Sequence, residues 1–142
     1  MLIRSGTTPT EGVFYDGQVF DAYAFVSRII KSAKHQIVLI DNYIDESVLF
    51  MLAKRRSKVK ATIYTGKITR ELKLDIARYN KQYPPVEVLV FKSSHDRFLI
   101  IDATTIYHIG ASLKDLGKKW FAFSKINLDV NEIIQKLSTS IT

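Results

Sequence analysis

Apolar residues along this chain fall into short blocks separated by polar and turn-forming stretches, and the spacing inside each block predicts its conformation. Val13-Phe14-Tyr15 stops at an Asp16-Gly17 turn and reads as a short strand. From Val19 to about Lys34, the positions Val19, Tyr23, Val26, Ile30 and Ala33 recur at helical spacing, with Arg28, Lys31 and Lys34 on the opposite face. Ile37-Val38-Leu39-Ile40 is the first strong strand, and Asp41-Asn42-Tyr43 follows its C-terminal end. A helix from about Glu46 to Arg55 carries Leu49, Leu52 and Ala53 inward and closes on Lys54-Arg55-Arg56, a cluster that reads as a solvated helix end. Val59 to Tyr64 gives another strand. Thr69 then caps a helix with Leu72, Ile76 and Tyr79 inward, Pro84-Pro85 ends that unit, and Val86 to Phe91 forms the next strand.

Strand and helix alternate to this point, which argues for α/β layering with parallel strands. The pattern then changes. Phe98–Ile101 and Thr105–Ile109 are joined only by Asp102-Ala103-Thr104, a hairpin connection too short for a crossover. Trp120 to Ile126 is a further strand after a polar Ser112–Lys119 segment. Asp129 and Glu132 open a last helix with Val130, Ile133, Ile134 and Leu137 inward. The expectation is one α/β domain over residues 13–142, a mixed sheet flanked by helices, behind a loose leader of residues 1–12 rich in Gly, Thr and Pro.

Composition narrows the function classes. The 142 residues include no cysteine, which removes disulfides, thiolate catalysis, zinc ribbons and iron–sulfur clusters. No apolar run approaches the ~18 residues of a membrane span, and the first residues lack the apolar stretch of a signal peptide, so a cytoplasmic protein without membrane contact is expected. The net charge of +7 favours an anionic partner, nucleic acid before others. Three histidines without helical i,i+4 pairing argue against a dedicated metal site, and no glycine-rich phosphate loop is present; no cofactor is expected.

The segment from His95 to Asp102 carries the sharpest chemistry. His95 and Arg97 stand two residues apart directly before Phe98-Leu99-Ile100-Ile101, which reads as a buried strand, and burying such groups at its head is costly without a role. On a strand both side chains would project from one face, with Cα atoms roughly 6.5–7 Å apart. A neutral imidazole is a competent nucleophile toward phosphorus, and a guanidinium can grip two phosphate oxygens. Asp102 has the opposite strand parity and lies five residues beyond Arg97, so it reads as a turn or buried-network residue outside the reacting set. Gly110-Ala111-Ser112 offers a close backbone approach and a hydroxyl donor.

His95-x-Arg97-(x)4-Asp102, followed by Gly110-Ala-Ser112, resembles the His-x-Lys-(x)4-Asp…Gly-Ser-x-Asn signature of the phospholipase D superfamily. The order of strands and helices before the motif fits that fold, so the resemblance covers most of residues 13–137. The run from Gly110 to Ser124 is also similar to phospholipase-D-like domains of bacterial and phage proteins, some of which follow an ORF6N-type DNA-binding domain. No such segment precedes it in this sequence, so a free-standing protein or a C-terminal domain is expected. The resemblance implies a metal-independent phosphodiesterase in which two motifs meet across a two-fold axis. One His attacks phosphorus and the other protonates the leaving group. With a single motif here, it implies a homodimer in which each subunit supplies His95. Departures from the signature are visible: Arg97 stands for Lys, Ala111 and Leu113 replace Ser and Asn, and the Asp-to-Gly spacing is one residue longer. No acidic residue follows in the Trp120–Ile126 strand, where Ser124 falls near the position of a family Glu.

The expected catalytic set is therefore His95, Arg97 and Ser112, with Asp102 and Gly110 as structural motif residues. Lys92, Ser94, Lys114 and Ser124 are candidate phosphate or nucleic-acid contacts. Asp41 and Asn42 read equally as site neighbours or turn formers, His35 as a helix-end cation without chemistry, and His108 as a structural histidine. Trp120 reads as core or dimer interface ahead of a stacking platform, though Lys114, Lys118 and Lys119 flank it. Two functions stay open: a nuclease-type phosphodiesterase, or a catalytically degenerate module of the same fold that binds nucleic acid or dimerises. A phospholipid hydrolase is disfavoured by the lack of a membrane-facing amphipathic surface.

Overall fold

A computed structural model describes residues 9–140. Strands β1 (Glu11–Phe14), β2 (Gln36–Ile40), β3 (Lys60–Thr65), β4 (Val86–Val90), β5 (Arg97–Ile101), β6 (Thr105–Ile109) and β7 (Phe121–Ile126) form one sheet in the order β1-β7-β6-β5-β2-β3-β4. The neighbours β2-β3-β4 are parallel and every other pair is antiparallel. The parallel part is built by the crossover helices α2 (Glu46–Leu52) and α3 (Arg70–Gln82); the tight Asp102-Ala103-Thr104 turn makes β5 and β6 a hairpin. Asp102 and Ala103 both have positive φ, 55° and 54°, the backbone such a tight reversal requires. This is the expected mixed sheet. Strand β1 begins at Glu11, inside the segment expected to be loose, because it pairs with β7. Residues 1–8 of that leader lie outside the described residues.

Two cores hold the helices on the sheet. On one face, Leu39, Leu99, Ile101, Ile109 and Phe123 pack against α1 (Val19–Ser32), α2 and α3; on the other, Ile40, Ile100 and Ile106 pack against α4 (Val130–Ser140) through Val130 and Leu137. The inward set of α1 differs from expectation. Ala22, Phe25, Val26, Ile29 and Ile30 are buried, whereas Val19 is half exposed. Phe25 stacks on Phe123 at 4.2 Å and lies 5.5 Å from Phe14, and this aromatic cluster rotates the buried stripe by about one residue. α1 also ends at Ser32, short of Lys34, because the chain there turns into β2.

Arg55 is not a solvated helix-end cation. It is buried, and its guanidinium donates to the carbonyls of Leu52, Val59, Pro84 and Pro85 and to the Tyr79 hydroxyl, at 2.8–3.1 Å. A buried cation is tolerable when its donors are all occupied, and the fork of Arg can occupy several carbonyls together. Lys54, by contrast, lies over the Tyr23 ring at 4.3 Å.

Candidate functional site

The C-terminal ends of β2, β3, β4 and β6 and the N-terminal ends of β5 and β7 meet at one edge of the sheet. Open α/β sheets gather ligands at this edge. Asp41 follows β2, Arg97 opens β5, and Gly110-Ala111-Ser112 leaves β6, so chain direction alone brings these segments together.

Asp41 is the centre of the arrangement. It is completely buried, accepts hydrogen bonds from Ser112 Oγ (3.0 Å), Leu113 N (2.8 Å) and Tyr43 N (3.1 Å), and lies 3.9 Å from Arg97 Nε. Burial pushes its carboxyl above the usual range and outweighs the opposing bonds from Leu113, Tyr43 and Ser112 and the attraction of Arg97. Arg97 Nε donates to Ser112 Oγ at 3.3 Å. Its two terminal nitrogens have no protein hydrogen-bond partner among the described residues. Asp41 therefore aims the guanidinium and leaves its outer edge for a ligand. Ser112 acts within this network, with its hydroxyl donated to Asp41. Both readings open for Asp41 find a counterpart in the geometry: its carboxylate accepts Tyr43 N two residues on, as a turn former does, and it lies beside Arg97 and Ser112.

An open pocket of about 530 Å³ lies over Arg97 and Ser112, walled by Gly110, Tyr43, Lys118, Lys119 and Trp120 and by Asp115, which pairs with Lys118. Gly110 is needed for packing: a Cβ there would come within 2.9 Å of the Ala122 carbonyl on β7. Gly117, at φ 77°, lets the lysine-bearing loop lie on Val19, where a Cβ would meet backbone at 2.5 Å. Trp120 precedes β7 and is 67% exposed, so it is not core. Its indole donates to Asp16 at 2.8 Å and meets Tyr15 edge-on at 4.6 Å.

His95 is exposed and lies ahead of β5, so strand alternation does not place it beside Arg97. A pinned loop carries it instead. Asn42 Nδ2 donates to the Ser94 carbonyl (2.6 Å), Ser94 Oγ donates to the Asp96 carbonyl (2.9 Å), and His108 Nε2 lies 3.4 Å from Asp96 Oδ1. Ser94 thus fastens the loop, anchored by Asn42, read from sequence equally as a site neighbour or a turn former, and by His108, read as a structural histidine. Among the described residues His95 has no hydrogen-bond or ion-pair partner.

The remaining candidates separate. Lys92 and Lys114 line an adjoining pocket of about 430 Å³ with Tyr43. Ser124 pairs in register with His108, which pairs with Phe98, so it lies on the sheet face opposite Arg97. Asp102 is a turn residue, as expected. Its carboxylate accepts the backbone N–H groups of Lys34, His35 and Gln36 at 2.6–3.1 Å, far from the pocket along β5. Among the described residues no three His, Asp or Glu side chains could hold a metal ion, and no helix is long and apolar enough to cross a membrane.

No family model and no curated protein matches the chain. Solved structures do. NucT from Helicobacter pylori superposes with a TM-score of 0.61 at 15% identity, over 92% of each chain. TrmBL2, an archaeal chromatin protein whose structure shows a novel mode of DNA binding, superposes with a TM-score of 0.60 at 17% identity over 96% of this chain. The fold is phospholipase D-like. The present chain spans only 54% of the TrmBL2 chain, about half its length.

Proposed function

We propose that this chain acts on nucleic acid as a metal-independent phosphodiesterase of the phospholipase D superfamily, working as a homodimer through His95. The observation that carries the reading is the pocket over Arg97 and Ser112. Its guanidinium is held from behind by buried Asp41, and Lys118 and Lys119 stand on its rim. Such a cradle suits a phosphodiester: a fixed planar donor faces the nonbridging oxygens, and flanking cations attract the polyanion. The likeness to a DNA-binding chromatin protein and the net charge of +7 support nucleic acid as the ligand.

In this mechanism a ring nitrogen of neutral His95 attacks phosphorus, and the bond from phosphorus to the leaving oxygen breaks. The His95 of the partner subunit gives its proton to that oxygen. Water then attacks the phosphohistidine, its proton passes to the second His, and the P–N bond breaks. Arg97 stabilises the charge that builds on the equatorial oxygens.

A second reading, the same fold binding nucleic acid without turnover, is favoured by one feature. Arg97 Nε is already engaged by Ser112 and faces Asp41, which leaves a clamp weaker than a free cation. Incubation with supercoiled plasmid and single-stranded DNA in EDTA, beside His95→Ala, separates the two. Cleavage that survives EDTA and is lost in the variant establishes the enzyme. Salt-sensitive binding without cleavage establishes the module and overturns catalysis.

A further inference from the structure

We propose that the pocket bounded by Lys67, Lys92 and Lys114 is a second phosphate subsite. It would take a neighbouring phosphate of the nucleic-acid strand whose first phosphate lies over Arg97 and Ser112, and it rests on the proposed nucleic-acid reading.

Three elements supply the cations independently. Lys67 follows β3, Lys92 follows β4, and Lys114 lies in the 3-10 turn Leu113–Asp115 after β6. No acidic side chain lines this pocket, and among the described residues Lys67 and Lys92 have no ion-pair partner. Converging cations repel one another unless an anion joins them. Asp115 holds Lys114 Nζ and Lys118 Nζ at 3.0 Å each, and Asp45 and Asp41 also attract Lys114, but none of the three carboxylates lines this pocket. Thr69, the N-cap of the thirteen-residue helix α3, also lines the pocket, and the positive end of that helix adds to its potential.

The two pockets adjoin. Tyr43, 60% exposed, is a wall of both, and the Asp115 bridge ties Lys114 of one to Lys118 of the other. Two phosphate pockets divided by an exposed ring match the alternation of phosphate and base along a strand, with the base stacked on Tyr43.

Fluorescence anisotropy with a labelled hexathymidylate tests the subsite across a salt series. Lys67→Ala/Lys92→Ala weakens binding roughly tenfold at 0.1 M salt and reduces the slope of log affinity against log salt by about 0.7. Lys118→Ala/Lys119→Ala, at the first pocket, weakens it as well. Lys58→Ala/Lys60→Ala, which removes equal charge at the opposite end of β3, leaves the affinity within twofold. If Lys67→Ala/Lys92→Ala binds like wild type, or if Lys58→Ala/Lys60→Ala weakens binding equally, the subsite is wrong while the nucleic-acid reading stands. If wild type shows no salt-sensitive binding, both fall.

Discussion

Asp102 shows how one motif residue can serve the fold alone. Three successive N–H groups, those of Lys34, His35 and Gln36, converge on its carboxylate, and they join the end of α1 to the start of β2. Its backbone has φ 55°, a conformation that costs Asn less than Ala, although Ala103 beside it also adopts φ 54°. Asp102→Ala therefore loses the acceptor and adds backbone strain, costing about 3 kcal/mol, while Asp102→Asn keeps the turn and one acceptor and costs about 1–2 kcal/mol. Urea denaturation of both variants at neutral pH measures this; equal losses would show that neither the strain nor the acceptor kept by Asn matters. The acid dependence follows from the carboxyl's shift. Burial opposes ionisation, but the bonds from Lys34, Gln36 and His35 together hold it below its ordinary value of 3.8. A carboxyl depressed in the folded state stabilises it fully above the unfolded value, and that contribution is lost as pH falls below it. The stability gap between wild type and Asp102→Asn is expected to hold from neutral pH down to about 5 and to narrow below about 4. Asp41, whose carboxyl shifts the opposite way, is common to both proteins and cancels from the difference.

At the scale of elements, Arg55 is the tie between α2, the start of β3 and the Pro84-Pro85 entry to β4. Truncation strands the carbonyls of Leu52, Val59, Pro84 and Pro85 together, so Arg55→Ala is expected to cost about 3–5 kcal/mol, and Arg55→Lys about 2 kcal/mol because an ammonium cannot span them. Thermal and urea melts of the two variants check the order; a cost for Arg55→Ala below that of an ordinary surface substitution would refute the tie. Nothing in Lys54-Arg55-Arg56 distinguishes this residue from its neighbours, since the acceptors come from residues up to thirty positions away. Periodicity was a sound guide where burial is continuous, as in Ile37–Ile40 and in α4, whose inward Val130, Ile133, Ile134 and Leu137 were legible from spacing alone. It misjudged α1, where the aromatic cluster of Phe14, Phe25 and Phe123 decides the rotation through contacts that no local pattern encodes. The site divides in the same way. The contact of Arg97 with Ser112 joins two segments that a short motif marks in the sequence. Asp41 and Asn42 read equally as site neighbours or turn formers, and Tyr43 carried no signal of its own, because their contacts depend on β2 meeting β5 and on the loop after β6.

For the whole molecule, the decisive question is how many chains make one site. A single chain supplies one exposed His95, in the loop just before Arg97, and the proposed phosphohistidine route uses a second histidine to protonate the leaving oxygen. Of the other histidines, His35 lies at the far end of β2, and His108 lies on the sheet face opposite Arg97, against Asp96. Under the proposed mechanism a two-fold axis beside the pocket edge would supply that group by symmetry, since an isologous interface brings the same loop from both subunits together. This makes the dependence on subunit composition measurable. Wild type is mixed with His95→Ala at constant total protein, subunits are exchanged through mild denaturant, and cleavage in EDTA is followed. If both histidines serve one reaction, only wild-type pairs are active, and an equimolar mixture retains about a quarter of full activity, the square of the wild-type fraction. If each chain works alone, about half remains and the dependence is linear. Light scattering on the same samples reports the dimer directly. A monomer with a linear dose response would overturn the shared site and return catalysis to a single chain.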